Sequence, residues 1–239
     1  MTGAVGRVVH MTEDKQFRKT QVEPVSDASA DAPAAATLPT PEGFAMMDPR
    51  DQLKTLLVTL LQGKAFSELY PVTLDHRATA VIGHLLIDTL EEQGFGVDDF
   101  DAVGALTPAA MPLVCAMMQA AASRGEDLDG FIMDFVFPSV KGPSIAGKRV
   151  LMLDAWLSEK SYIQTSSLVT LRNGNELSLD FGIIEAQGAQ VVAVAALVGG
   201  VDMTSPTIAV INPVNDERHE LPFIEVFHES ELRDGVTED

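Results

Sequence analysis

Four apolar runs, separated by turn residues and helical segments, constrain the fold of this chain more than any other feature. They cover residues 100–106, 129–137, 148–156 and 189–200. Near-continuous runs of Val, Ile and Leu are typical of strands buried on both faces of a parallel sheet. Helices are predicted over 113–125, after the first run, and over 176–188, before the fourth. This alternation predicts an α/β fold with a central parallel sheet flanked by helices.

Two amphipathic helices are predicted ahead of the first strand. Asp48 followed by Pro49 provides an N-cap and a proline at the first helical position, and leucines then recur at helical spacing. The second helix covers 78–93 and ends at Gly94. Near the other end, residues 221–227 can pair as a final strand, and the acidic segment 220–239 is interpreted as a solvated edge.

Composition divides the chain into three parts. Residues 21–41 are rich in Ala, Pro, Ser and Asp and show no apolar period, so residues 1–47 are expected to be a disordered acidic tail. Residues 48–235 are expected to form a single domain, since 46% of the chain is hydrophobic. Residues 236–239 complete the prediction as an acidic terminus.

Charge and cysteine content narrow the classes of partner and compartment. The net charge of -19 argues against nucleic-acid and anionic-membrane partners. The single cysteine, Cys115, lies in an apolar helix and is interpreted as a small hydrophobe, and one cysteine fits a reducing compartment. Charged residues interrupt the first twenty positions, which disfavours a secretory signal. We therefore expect a cytoplasmic protein. No histidine has the spacing of metal ligands, so we expect no metal site built on histidines.

Several segments then occur in an order that resembles a known family. DAVGALTPAAMPL, GPSIAGKRVLMLD, EAQGAQVVAVAALV and LPFIEVFHESELRDG follow one another, and LDHRATAVIGHLL precedes them. Together they resemble the orotate phosphoribosyltransferases, of the type I phosphoribosyltransferase family, from Asp48 to Gly235. The resemblance implies a parallel sheet flanked by helices, with a small hood formed by the N- and C-terminal segments. It also implies transfer of ribose phosphate from phosphoribosyl pyrophosphate (PRPP) to orotate, with magnesium bound to PRPP.

The same resemblance assigns candidate site residues. The turn that holds pyrophosphate keeps Gly104 and Thr107 as ligand-binding candidates. The family's pair of acidic residues at a strand end is reduced to Asp154, a catalytic candidate for positioning the sugar or magnesium. The phosphate-binding loop is replaced by a longer segment, in which Gly174 and Asn175 are the ligand-binding candidates.

The family's basic cluster is the largest departure. Asp134 and Phe135 stand where Arg-Lys is expected, and Lys141 is the only candidate substitute, assigned here as catalytic. Positive charge stabilises the departing pyrophosphate, so losing these cations and one carboxylate should cost about 3 to 8 kcal/mol of transition-state stabilisation.

These departures predict a phosphoribosyltransferase-like protein that is catalytically impaired or inactive and acts as a binding, regulatory or dimer-partner subunit. The alternative is an active orotate phosphoribosyltransferase of pyrimidine biosynthesis, in which Lys160, Arg172 or Lys141 replaces the lost cations. Trp156 either fills the space beyond Asp154 or packs in the core. The partner is expected to be a second copy or a related phosphoribosyltransferase, PRPP and small nucleotides are the candidate ligands, and magnesium is expected only with PRPP.

Overall fold

A computed structural model describes residues 41–134, 139–158, 170–172, 176–178, 181–201, 204, 207–211 and 218–232. Its α-helices are α1 (Pro49–Leu60), α2 (Tyr70–Thr73), α3 (His76–Glu92), α4 (Met111–Arg124) and α5 (Gly182–Glu185). Its strands are β1 (Ala102–Ala105), β2 (Asp129–Asp134), β3 (Ser139–Lys141), β4 (Arg149–Ser158), β5 (Thr170–Arg172), β6 (Glu176–Ser178), β7 (Gln190–Gly200), β8 (Thr207–Ile211) and β9 (Arg218–His228).

The described strands form one mixed sheet in the order β3-β2-β1-β4-β7-β9-β8-β6-β5. The five neighbours β2, β1, β4, β7 and β9 run parallel, which confirms the predicted α/β class and its parallel centre. The sheet extends beyond this parallel centre on both sides. There β3 pairs antiparallel with β2, β8 with β9, and β5 with β6, because hairpin partners extend the sheet.

Helices α1, α3 and α4 follow their predicted positions and pack with one face of the sheet. The Asp48 side chain accepts a hydrogen bond from the backbone N–H of Arg50, as the N-cap prediction requires. Helix α4 ends at Gly125, whose φ of 80° is left-handed. Helices α3 and α4 approach so closely that a methyl group at Gly83 would overlap the backbone carbonyl of Ala116.

The predicted helix over 176–188 is wrong for its first half. Glu176–Ser178 is strand β6, and the helix is limited to the four residues of α5. Leucine alternates with polar residues from Glu176 to Asp180, a period of two that is typical of a strand.

Both ends of the described chain differ from the sequence expectation. The compact unit begins at Glu42, and Phe44, placed in the predicted tail, is buried in the core. At the other end the predicted final strand over 221–227 is confirmed as part of β9, which lies between β7 and β8, so only the interpretation of residues 220–228 as a solvated edge is wrong. Arg50 contacts this end of the chain, with its guanidinium 4.5 Å from the centre of the Phe227 ring. The tail prediction for residues 1–40 and the predicted terminus 236–239 lie outside the described residues.

Among the described helices, none combines the length and the apolar character needed to cross a lipid bilayer.

Candidate functional site

Ligands of parallel α/β sheets bind at the carboxyl ends of the strands, and Asp154 was expected to end β4 there. The structure corrects this expectation. Strand β4 continues for four residues beyond Asp154 and stays paired with β7, from Asp154 opposite Ala196 to Ser158 opposite Gly200. Asp154 is consequently 3% exposed. Its carboxylate lies inside the sheet layer rather than at an open strand tip.

Burial controls the chemistry of this carboxylate. Its Oδ1 accepts hydrogen bonds from Thr107 Oγ1 at 2.8 Å and from the backbone N–H of Ala155 at 2.7 Å. Its Oδ2 is buried and has no hydrogen-bond partner among the described residues. Desolvation raises the pKa of Asp154 to about 6, because the hydrogen bonds compensate only part of the cost of burying the charge.

Thr107 and Gly104, the pyrophosphate candidates, are held by protein groups. Thr107 lies before the short 3-10 helix Pro108–Ala110 and donates its hydroxyl proton to Asp154. The structure thus brings the candidates Thr107 and Asp154 together. Gly104 lies within β1, where a side chain would overlap the ring of Phe131. Close packing against Phe131 explains why glycine occupies this position.

Lys141 lies far from the other candidates. It ends β3, and the register places it in one row with Ile132 on β2, Ala105 on β1 and Leu153 on β4. Three strand spacings of about 4.8 Å separate its backbone from β4 by about 14 Å, more than a lysine side chain spans. Its ammonium group lies 3.9 Å from the carboxylate of Asp134, on the neighbouring strand.

The remaining ligand-binding candidates, Gly174 and Asn175, lie outside the described residues, as do Phe135, Lys160 and Tyr162. Arg172 belongs to β5, and only its backbone is described.

Trp156 is a core residue with one polar contact. Its side chain is 8% exposed and lies near Phe66, with the ring centres 6.2 Å apart. Its indole N–H donates a hydrogen bond of 2.7 Å to Oε1 of Glu229, which is itself buried. Of the two alternatives for Trp156, the structure supports packing in the core.

Two glycines at the end of β7 make room for carboxylates from the end of the chain. A methyl group at Gly199 would overlap the carboxylate of Glu225, and one at Gly200 would overlap the carboxylate of Glu229. Burial raises the pKa of Glu225 to about 7, with smaller contributions from repulsion by Glu231 and Glu229. Its Oε2 is buried without a hydrogen-bond partner among the described residues.

Sequence reasoning missed Glu225 and Glu229, because their segment was interpreted as a solvated acidic edge. The available signal was the Gly-Gly pair that ends the apolar run of β7. Glycine inside a strand marks a close approach of other atoms, and here those atoms are the two carboxylates.

Neither Asp154 nor Thr107 lines either of two cavities, although Pro108, next to Thr107, lines one of them. One of about 860 Å³ lies among α2, α3 and α4. The other, of about 720 Å³, lies at the amino ends of β1, β2 and β4, where Lys148 pairs with Asp129 and Arg149 with Asp101.

The donor groups do not fit a magnesium-bound sugar diphosphate. In the part of the chain that the structure describes, no group of three or more His, Cys, Asp or Glu side chains is arranged to hold a metal ion. Asp154 offers a single carboxylate whose free oxygen solvent does not reach. The acidic side chains described near the ends of β7 and β9 are Glu225, Glu229 and Glu231, and Glu231 lies 3.6 Å from the guanidinium of Arg50. The net charge described there is negative, which disfavours anionic phosphates.

Comparison with known proteins places this geometry in a family. No protein-family model matches the chain. The orotate phosphoribosyltransferase of Streptomyces avermitilis is 34% identical over 151 residues, which cover 61% of this chain and 72% of that protein. The orotate phosphoribosyltransferase of Tropheryma whipplei is 30% identical over 139 residues, covering 56% of each chain.

Solved structures agree on the fold. The Mycobacterium tuberculosis orotate phosphoribosyltransferase, in complex with PRPP, has a TM-score of 0.50 at 23% identity, covering 81% of this chain and 98% of that one. A phosphoribosyltransferase from Corynebacterium diphtheriae has a TM-score of 0.51 at 21% identity, covering 78% and 99%. Since the chain spans more than two thirds of a relative that is 34% identical to it, it belongs to the orotate phosphoribosyltransferase family.

Proposed function

We propose that this protein keeps the phosphoribosyltransferase architecture but transfers ribose phosphate poorly or not at all. Its role is then that of a binding or regulatory subunit, or of a dimer partner for a second copy or a related phosphoribosyltransferase. The observation that carries the proposal is the enclosure of Asp154 within β4, with Trp156 packed directly beyond it.

Enclosure matters because a substrate-binding carboxylate must be reached by substrate. A sugar hydroxyl could contact Asp154 only if the Thr107 contact or the paired strand β4 were displaced. The carboxyl is also protonated to a larger extent than an exposed aspartate, because burial raises its pKa to about 6. It is therefore a less accessible acceptor than the open acidic pair expected in this family.

Electrostatics support the same conclusion. Catalysis of pyrophosphate departure requires positive charge near the leaving group, and each well-placed group contributes about 3 kcal/mol. Lys141 is placed about 14 Å from β4 and lies next to Asp134. The strand ends nearest Asp154 bring Glu225 and Glu229 instead. Repulsion between these carboxylates and phosphate groups would weaken PRPP binding as well as catalysis.

The remaining parts of the proposal follow from it. Magnesium would accompany the protein only if PRPP binds, and PRPP or a small nucleotide remains the candidate ligand. A cytoplasmic location is supported by the single cysteine of the chain.

The test is a direct comparison of rates. The purified chain and the Streptomyces avermitilis relative are each incubated with PRPP, magnesium and orotate, and orotidine monophosphate formation is followed. We expect this chain to be slower by a factor of about 10² to 10⁶, the rate equivalent of losing 3 to 8 kcal/mol. Turnover within tenfold of the relative would refute the proposal. Calorimetric titration with PRPP then separates a binding subunit, which gives a signal, from a pure dimer partner, which does not.

The alternative of an active orotate phosphoribosyltransferase draws its support from the 34% identity to a relative of that name. It requires replacement cations, so alanine variants of Lys141, Lys160 and Arg172 are informative. If the chain turns over rapidly and one of these variants lowers the rate at least 100-fold, the alternative is correct. If all three variants keep the wild-type rate, the proposed substitutes carry no catalytic function.

A further inference from the structure

Three glutamates lie near one another where β9 ends: Glu225, Glu229 and Glu231. A methyl group at Gly199 would overlap the carboxylate of Glu225, and one at Gly200 would overlap that of Glu229. Both side chains therefore pack against the backbone of β7, a strand that carries no charged residue. The third carboxylate, that of Glu231, is close enough to act on Glu225 by electrostatic repulsion.

The three carboxylates differ in what compensates their charge. Oε1 of Glu229 accepts a hydrogen bond of 2.7 Å from the indole N–H of Trp156. Oε2 of Glu231 lies 3.6 Å from the guanidinium of Arg50. Oε2 of Glu225, in contrast, is buried and has no hydrogen-bond partner among the described residues. A buried carboxyl group without partners favours its neutral form, and the pKa of Glu225 is accordingly raised to about 7.

The titratable groups on most neighbouring elements lie away from Glu225. Strand β8 contains none, and α5, on the face of Glu225, carries only Glu185, which is exposed. Helices α1 and α3 share a core cluster with Ile224 and Val226, which alternate with Glu225, so these helices lie on the other face of β9. The titratable residues of α1, of α3 and of the first part of β9 are Arg50, Asp51, Lys54, His76, Arg77, His84, Asp88, Glu91, Glu92, Arg218, His219 and Glu220.

Two further titratable groups, Asp154 and His228, lie nearer. Strand pairing places Asp154, Ala196 and Glu225 in one row, so the backbone of Asp154 lies two strand spacings, about 10 Å, from that of Glu225. Nδ1 of His228 accepts a hydrogen bond from the backbone N–H of Ser230. Protonation of His228 would remove this acceptor at low pH. Its effect on the segment after β9 is therefore opposite in sign to that of Glu225.

The segment Glu229–Leu232 is the part of this region that is easiest to displace. Strand β9 is held by backbone pairing with β7 and β8 along its length. The segment after it is a short 3-10 helix, and its described contacts with the rest of the fold are the Glu229–Trp156 hydrogen bond, the Glu231–Arg50 ion pair and the buried side chain of Leu232. Such short segments open at lower free energy than paired strands.

We propose that the proton on Glu225 is a switch for the segment Glu229–Leu232, which packs on β4 and β7 while Glu225 is neutral and loosens when Glu225 becomes an anion. Loosening admits water to the Glu225 carboxylate and moves the charges of Glu229 and Glu231 away from it. The inference goes beyond the proposed function and holds for an active or an inactive chain.

The direction and the limit of the effect follow from proton linkage. In the packed state Glu225 holds its proton up to about pH 7, and in the loosened state its pKa returns toward the ordinary 4.5. The packed state therefore binds more protons between these values, so it loses stability as pH rises through this window. The shift of about 2.5 units limits the change in the packing equilibrium to about 300-fold.

The first test is hydrogen–deuterium exchange of the full chain from pH 5.5 to pH 8, corrected for the intrinsic pH dependence of amide exchange. We expect the protection of residues 229–232 to fall at least tenfold in the wild type and to stay constant in Glu225→Gln and Glu225→Ala. Glu220→Gln is the matched control, because Glu220 is exposed on the same strand, and it should keep the wild-type fall. Circular dichroism shows whether each variant is folded, and the two neutral variants guard against misfolding of one.

The second test uses Trp156, the only tryptophan of the chain, as a reporter. Acrylamide quenching of its fluorescence should increase over the same pH range in the wild type and in His228→Gln, and should not change in Glu225→Gln. Constant protection of residues 229–232 in the wild type, or a fall that persists in both Glu225 variants, would overturn the inference. Loss of the pH response in His228→Gln would overturn it too, because the response would then belong to the histidine. Neither measurement uses PRPP, so the outcome is separate from that of the catalytic proposal.

Discussion

Replacing Asp154 with asparagine tests whether this carboxylate is enclosed as the structure describes. Asparagine keeps an oxygen that can accept hydrogen bonds from Thr107 and from the backbone N–H of Ala155. It removes the charge that burial opposes. The amide group that replaces the unpartnered Oδ2 adds a buried donor, which costs about 1 to 3 kcal/mol at every pH. The informative quantity is therefore the difference in the free energy of unfolding between Asp154→Asn and the wild type, and how this difference changes with pH.

The expected magnitude follows from the pKa. Asp154 ionises at 3.8 in the unfolded chain and at about 6 in the folded one. Between these values the folded state holds more protons, so wild-type stability falls as pH rises through this window. The shift of about 2 units, at about 1.4 kcal/mol per unit, gives a total loss of about 3 kcal/mol. Between about pH 4.5 and about pH 7.5, the free energy of unfolding of Asp154→Asn should rise by about 2 kcal/mol relative to that of the wild type.

The assay is urea unfolding at a series of pH values, followed by the fluorescence of Trp156, the only tryptophan of the chain. Asp75→Asn is the matched control. The guanidinium of Arg77 lowers the pKa of Asp75 to about 2, so ionised Asp75 stabilises the fold above pH 3.8 and loses this effect as pH falls toward 2. The cost of Asp75→Asn should thus be constant from about pH 4.5 to about pH 7.5. A difference between Asp154→Asn and wild type that is equally constant would refute the enclosure of Asp154.

Two further substitutions test the packing around the sheet. Trp156→Phe removes the indole donor to the buried carboxylate of Glu229 and should lower the free energy of unfolding by about 1 to 3 kcal/mol, measured by circular dichroism in urea; an unchanged midpoint would contradict this contact. Gly83→Ala places a methyl group against the backbone carbonyl of Ala116 and should cost about 1 to 3 kcal/mol. The control Gly96→Ala adds a methyl group whose nearest neighbour, Oδ2 of Asp99, lies at an ordinary contact distance of 3.7 Å, at φ of -74°, and it should be nearly neutral.

The elements that local sequence patterns specify were predictable. Helices α1, α3 and α4 and strands β1, β2, β4 and β7 follow apolar periodicity, capping residues and glycine stops, which act within a few residues. Strand β6 was not predicted, because its period of two covers only a few residues and helical residues follow it closely. The hairpin strand β3 was missed because it is three residues long.

The burial of Asp154 depends on the pairing of the whole sheet. The residues next to it in the sequence therefore could not reveal this burial. The residues Asp154, Ala155 and Trp156 fit either a strand end followed by a loop or a continued strand. Pairing with β7 as far as Gly200 decides between them, and that pairing depends on residues more than forty positions away. The position of Lys141 likewise follows from the strand order, which places β3 at an edge of the sheet. Sequence resemblance alone gives neither the distances between candidate site residues nor the extent to which each is buried.

The packing at this end of the sheet depends on residues of β4, of β7 and of the segment after β9. Trp156 on β4 donates to Glu229 after β9, and Gly200 on β7 leaves the space that the Glu229 carboxylate fills. Removing the indole would take a donor from a buried carboxylate, and adding a side chain at Gly200 would overlap that carboxylate. Opening this packed region would therefore require coordinated changes in β4, in β7 and in the segment after β9.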